Sequence, residues 1–262
     1  MCIRDSVNIN NPTGTTIDGT NENAVTFNNG SFTVVNDGTI STTGATRLDG
    51  ITASGTNATI TELTNSGTIT STTTGIFGLG VTIDNGATLG TLTNTGTITG
   101  TSGDDSGYGV FLTNGVTATT ITNSGTISGV TTGDDFAHGI FVDNSSTLTT
   151  LTNTGTISTT AADSSSSAVL VSDTSIITTL TNNGTISGTA TTTFGEGISL
   201  NTSSVITTLI NNDTISGTSG NNLGSGINLT NSTITTLTND GTISGTAGGD
   251  AGRGIRILSS AT

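Results

Sequence analysis

The stretch Leu92-Thr93-Asn94-Thr95-Gly96-Thr97-Ile98-Thr99-Gly100 decides the fold, because close copies of it recur along the chain at nearly constant spacing. Its Asn-x-Gly-Thr-Ile block returns with the Asn at Asn36, Asn65, Asn94, Asn123, Asn153, Asn182, Asn211 and Asn239, at intervals of 29, 29, 29, 30, 29, 29 and 28 residues. Self-similarity at such a period marks a repeat architecture, in which each unit stacks on its neighbours. One copy carries Asp213 where the others carry Gly, and Asp is among the few residues that tolerate a left-handed turn conformation.

Aligned on that Asn, the copies show apolar columns. Two residues before it stand Val34, Leu63, Leu92, Ile121, Leu151, Leu180, Leu209 and Leu237; three residues earlier come Ile60, Leu89, Ala118, Leu148, Ile177, Ile206 and Ile234, with Ser31 in the first copy. Four residues after it is an unbroken Ile column, from Ile40 through Ile98 to Ile243. An alternating pair opens each unit, such as Val81 and Ile83 or Val110 and Leu112. Each unit therefore holds three short period-two segments separated by Gly and Asn turns, with no helix-period segment. The pattern predicts an all-β chain, a single-stranded parallel β-helix (β-solenoid) with three short strands per coil of about 29 residues and about eight coils. Residues 24–262 read as one continuous solenoid and residues 7–23 as an irregular lead-in.

Stacking explains the uniformity of the columns. Equivalent residues of successive coils lie about 4.8 Å apart, so like side chains pack on like. The Asn, two residues after an inward Leu, is expected to point inward at a corner and to bond the amide of the next coil, forming an asparagine ladder from Asn36 to Asn239.

Composition agrees with a thin core. Thr (66), Ser (30), Asn (26) and Gly (38) fill 160 of 262 positions, hydrophobic residues are 30% and aromatics 3%, and there is no Trp or Lys. A compact globule of this length needs more apolar volume. Disorder is disfavoured by a single Pro, 8% charged residues and the abundance of Thr, a β-former. Eighteen acidic residues against four Arg give a net charge of −14, which argues against nucleic acid as a partner and against anionic membrane surfaces. No apolar run approaches the roughly 20 residues of a membrane span, so membrane insertion of this segment is not expected.

Met1-Cys2-Ile3-Arg4-Asp5-Ser6 reads as the in-frame translation of a sequencing-library adaptor, which would make residues 1–6 non-native. Cys2 and Met1 are the sole Cys and Met, so the native segment would hold neither, and thiol and disulfide chemistry are not expected of it. Both ends read as truncated, the last at Ser259-Ser260-Ala261-Thr262 inside a unit.

Three candidate sites follow from the columns. Asp104 and Asp105 share a register with Asp134 and Asp135 one coil on, and four clustered carboxylates are a candidate Ca²⁺ site, the one cofactor considered; the alternative is a pair of solvated acidic loops. With His138, the cluster resembles the Asp and His-Gly elements of polygalacturonase-type hydrolases. However, Asp134, Asp135 and His138 fall within a single loop here, the Arg-x-Lys element of that family is missing, and Arg253 and Arg256 lie four coils away, roughly 19 Å along the axis. No catalytic residue is assigned, and the chain is not expected to be an enzyme. A surface array of Thr91, Thr93, Thr120, Thr122, Thr150, Thr152, Thr179, Thr181, Thr236 and Thr238, interrupted by Ile210, resembles the Thr-x-Thr ladders of insect-type antifreeze β-solenoids, which makes ice binding the alternative function. Thr on the neighbouring face, as at Thr97 and Thr126, favours Thr as the default exposed β residue of the rod.

From about Ala24 onward the Leu-Thr-Asn-x-Gly-Thr-Ile-Ser-Gly repeats resemble the passenger region of bacterial autotransporters and related repetitive surface proteins. The resemblance implies a right-handed parallel β-helix, export through a Gram-negative outer membrane by a C-terminal barrel, and display at the cell surface. It implies a structural or adhesin-like rod that presents loops to an unknown surface ligand (host cell, glycan or another copy). Open coil ends imply end-to-end self-association as well.

Overall fold

The computed structural model describes residues 7–258, so the adaptor reading of residues 1–6 and the interrupted unit at residues 259–262 lie outside the described residues. The described residues form 27 strands arranged as three nine-stranded sheets, each strand pairing in parallel with its counterparts one coil before and after. Thr88–Asn94, Thr97–Ser102 and Gly107–Leu112 make up one coil and contribute one strand to each sheet. Register is strict, with Leu92 opposite Ile121, Asn94 opposite Asn123, Ile98 opposite Ile127 and Val110 opposite Ile140. The result is the parallel β-solenoid of about 29 residues per coil that the repeat predicts.

The apolar columns meet inside. Leu63, Leu92, Ile121, Leu151, Leu180 and Leu209 are fully buried, as are the Ile column from Ile40 to Ile215 and the opening pairs from Ile51 and Ala53 to Ile198 and Leu200. Each aliphatic side chain lies between its own counterparts one strand spacing away, which fills a narrow core with stacked aliphatic groups.

Three sequence-based expectations change. Residues 7–23 are not an irregular lead-in: Val7–Asn11 and Thr16–Thr20 start the first two sheets and make a ninth coil. That coil was hidden because Asn11 precedes Asn36 by only 25 residues and the turn Pro12-Thr13-Gly14-Thr15 separates it from Ile17, which nevertheless pairs with Ile40. In the second coil the inward residue opposite Ile60 is Phe32 rather than Ser31, because the register shifts between Phe32 and Thr33. Phe32 stacks on Phe27 inside, with ring centroids 4.2 Å apart.

The third change concerns the corner Gly. Its φ is not left-handed; it is needed because coils approach closely, and a Cβ on Gly96 would lie 2.0 Å from the Gly67 carbonyl oxygen. Asp213, which has a Cβ there, also lacks a positive φ. The adjacent Thr214 N–H to Gly184 carbonyl bond is 3.2 Å, against 2.9 Å for both Thr185 to Gly155 and Thr156 to Gly125, so the coil opens slightly to admit the side chain.

The Asn ladder runs the length of the described coils and begins at Asn11. Each Nδ2 donates to Oδ1 of the next coil's Asn at 2.6–2.9 Å, from Asn11 to Asn36 through to Asn211 to Asn239. Asn153 Nδ2 also lies 3.2 Å from the Gly155 carbonyl and 3.1 Å from that of Thr185, while its own main-chain carbonyl accepts from Asn183 at 2.7 Å. Each corner is thus closed by side chain and backbone together, and each such bond contributes about 0.5–1.5 kcal/mol net. Asn153→Asp removes the donors and sets a buried carboxylate against those carbonyl oxygens. We expect a loss of about 3 kcal/mol or more in urea unfolding followed by circular dichroism. The exposed neighbour Asn212→Asp should stay within about 0.5 kcal/mol, and equal effects of the two would show that the ladder adds nothing to stability.

Candidate functional site

The acidic residues predicted from sequence do come together: Asp104, Asp105, Asp134 and Asp135 line a shallow pocket of about 330 Å³ beside Ile76. Partial burial, then a hydrogen bond with Asp105 and the charge of that residue, raise the Asp135 carboxyl above its ordinary value. Among the described residues no group of three or more His, Cys, Asp or Glu is arranged to hold a metal ion. His138 does not share that loop, but lies in the strand Ala137–Val142 and is only 4% exposed.

The predicted Thr positions also stack in register on the first sheet. Thr91, Thr120, Thr150 and Thr179 form one column, joined by Thr208 before Thr236, and Thr93, Thr122, Thr152 and Thr181 form another, in which Ile210 separates Thr181 from Thr238. They are half-buried, apart from the exposed Thr236 and Thr238 of the last complete coil.

A different surface has the features of a binding site. The third-sheet strands open with a residue followed by Gly, as in Tyr108-Gly109 and Glu196-Gly197, or by Ala in Ser167-Ala168. The strand bends at that Gly. A Cβ on Gly109 would lie 2.7 Å from Ile127 Cγ2, so this position faces the core, and so does the next residue, Val110. Two consecutive inward positions break the alternation. As a result the residues one before and two after that Gly, Tyr108 and Phe111, both face outward, with ring centroids 5.3 Å apart. Extending the alternation back from Leu112 and Val110 would have placed Tyr108 inside.

Two outward columns then run along the axis. Tyr108, His138, Ser167, Glu196 and Ser225 form one, and Phe111, Phe141, Leu170, Ser199, Asn228 and Arg256 form the other. Phe136 and Phe194 from the preceding turns make one rim, and Asn201 and Thr230 make the other; together they enclose a groove of about 530 Å³. One end is aromatic. Tyr108 lies 5.0 Å from the His138 ring and 5.5 Å from Phe141, and Phe111 stacks on Phe141 at 5.0 Å. The other end is polar, with Ser167 Oγ donating to Glu196 Oε2 at 3.1 Å and the Arg256 guanidinium 5.8 Å from the Phe194 ring centre.

The groove holds polar groups whose bonding is incomplete. Burial raises the Glu196 carboxyl, against hydrogen bonds from Ser199 and Ser167 and the charge of Arg256. Glu196 and Arg256 form no ion pair; among the described residues the one ion pair is Arg47 with Asp49 at 3.8 Å. Asn228 is 5% exposed and its Oδ1 has no partner, and the buried Nε of Arg256 also lacks one. Unpartnered buried polar atoms are costly and call for an explanation. Burial also raises the Tyr108 hydroxyl to about 12.

The chain matches no family model, no curated protein and no solved structure. Among the described residues no helix is long and apolar enough to cross a membrane.

His138 allows a test of the groove's packing. Burial lowers its imidazole from 6.5 to about 4, opposed by the Ser167 carbonyl oxygen 3.4 Å from Nδ1. Between those values the unfolded chain takes up a proton that the native ring refuses. The contribution is therefore intact above pH 6.5 and is lost as pH falls towards about 4, amounting to roughly 3 kcal/mol. The raised carboxyls of Asp49 and Glu196 act with the opposite sign, since protonation relieves their burial. Comparison with His138→Phe isolates the imidazole: the stability of the wild type minus that of the variant should fall across this window. Parallel curves would show that His138 titrates as an exposed imidazole does.

Proposed function

We propose that the chain is an extracellular structural or adhesin-like segment of a large bacterial surface protein, a non-catalytic rod that holds a ligand-facing side at a distance from the cell. The observation that carries this reading is the unbroken in-register stacking of coils on the Asn ladder, which makes an elongated object with a long outer face. Likeness of the Leu-Thr-Asn-x-Gly-Thr-Ile-Ser-Gly repeats to autotransporter passengers supports export through a Gram-negative outer membrane. The single Cys of the chain suits that route, since one Cys forms no intrachain disulfide in the periplasm before threading. Antibodies raised against the purified coils should label intact cells of the producing organism. Labelling that requires permeabilisation would overturn the surface assignment.

The partners proposed for the rod include itself. The last coil among the described residues leaves Leu237, Ile255 and Ile257 at 38%, 45% and 58% exposed, and these residues line an apolar recess with Ile227, Leu229 and Ile234. Beside them, among the described residues, lie the terminal strands of three sheets, whose open edges template further strands. This 262-residue polypeptide should therefore form end-to-end dimers and longer rods in light scattering. Leu237→Lys combined with Ile257→Lys should return it to monomer, and a wild type that is monomeric throughout would refute the association.

A further inference from the structure

The geometry points to the third-sheet groove as a carbohydrate-binding site that takes an extended oligosaccharide lying along the solenoid axis, with its ring faces on Phe136, Phe141 and Phe194 and its hydroxyl groups towards Ser167, Ser199 and Asn228. The inference deepens the proposed rod function by naming the class of ligand that the rod presents itself to, and it rests on that reading only for its biological setting.

Aromatic placement is the first argument. In a chain with seven Phe and one Tyr, Phe27 and Phe32 stack in the core. Tyr108 and the other five Phe stand on the outer side of the third sheet or on its rim. Aromatic rings are costly to leave outside a thin core, and a cluster of them on one face marks a binding surface. The groove's volume of about 530 Å³ and its lining of apolar rings with a few polar groups are those of a ligand site.

The second argument is the pattern of polar atoms. Beyond the aromatic end, Ser167, Glu196, Ser199, Asn228 and Arg256 continue the same two columns, and Asn228 Oδ1 and Arg256 Nε are unpartnered. Carbohydrate is the ligand class that offers apolar ring faces and dense hydroxyl donors and acceptors together. Spacing fits as well. Side chains recur every ~4.8 Å along the axis, about the length of one pyranose ring, so successive sugars can meet successive coils in equivalent positions.

Binding rather than cleavage follows from the carboxylate count. Acid–base glycosidic hydrolysis uses two carboxyl groups flanking the bond. Glu196 is the one carboxyl among the described residues lining this groove, and the Asp104–Asp135 cluster lines a separate pocket.

The test uses the whole 262-residue chain on a printed array of neutral and carboxylated oligosaccharides, with retained sugars confirmed by saturation-transfer NMR. Phe141→Thr and Asn228→Thr place in the groove the residue that the solenoid already carries in this column at Thr52 and Thr82, which keeps the coils intact. We expect retention of extended oligosaccharides, weakened about tenfold or more by each variant, and unchanged by Thr208→Ala on the first sheet. Circular dichroism confirms that each variant is folded. No retained sugar, retention that both groove variants leave unchanged, or a groove that takes peptides from a random library while refusing sugars would overturn the proposal. Each of these outcomes leaves the surface-labelling result untouched, so the two readings fail separately.

Discussion

Everything in this molecule depends on one constraint: each coil must repeat the path of the coil beneath it closely enough for the backbone bonds of three sheets and the corner amide of each Asn to close together. The Asn side chain is well matched to this requirement, since one amide both donates and accepts and can therefore bond to its own copy indefinitely. Asn94 accepts from Asn65 and donates to Asn123, while its main-chain carbonyl accepts from the next turn. A residue that only donates or only accepts would end the chain of bonds after one step.

That constraint explains the economy of the sequence. With the path imposed by stacking, an inward position needs only to match its own column, so aliphatic rests on aliphatic, as Leu92 on Ile121 and Ile98 on Ile127, and the interior is one side chain deep. Thr, Ser and Asn occupy outward positions and corners because the architecture has many of both. Where Asp213 departs from the corner Gly, the response is a longer hydrogen bond to the coil below rather than a new turn, since the stacked neighbours on both sides hold the path.

Chemical variety, by contrast, enters where columns are allowed to change. The outward columns of the third sheet pass from aromatic to polar within a few coils while the inward columns beside them stay aliphatic. A solenoid can therefore carry a graded outer surface on an aliphatic core, with the coil spacing as its ruler. The Thr columns of the first sheet show the other limit, near uniformity on an outward face. The acidic turns at Asp104 and Asp134 are a local variation confined to two coils.

The repeat, the three strands per coil, the inward columns and the Asn ladder were all legible in the order of residues, because stacking equal coils turns sequence period directly into spatial contact. The ninth coil and the inward Phe32 were not, since a 25-residue spacing and a one-residue register shift are invisible until strands are paired. The groove was hidden for a related reason. Period-two reading assumes a straight strand, and the close approach of Gly109 to Ile127 bends it, so that Tyr108 and Phe111, three residues apart, share a face. By itself the sequence determined what lies inside, because burial selects aliphatic side chains one column at a time. Only the tertiary structure decided which outward side chains meet, because that depends on where the path bends and on residues contributed by six successive coils.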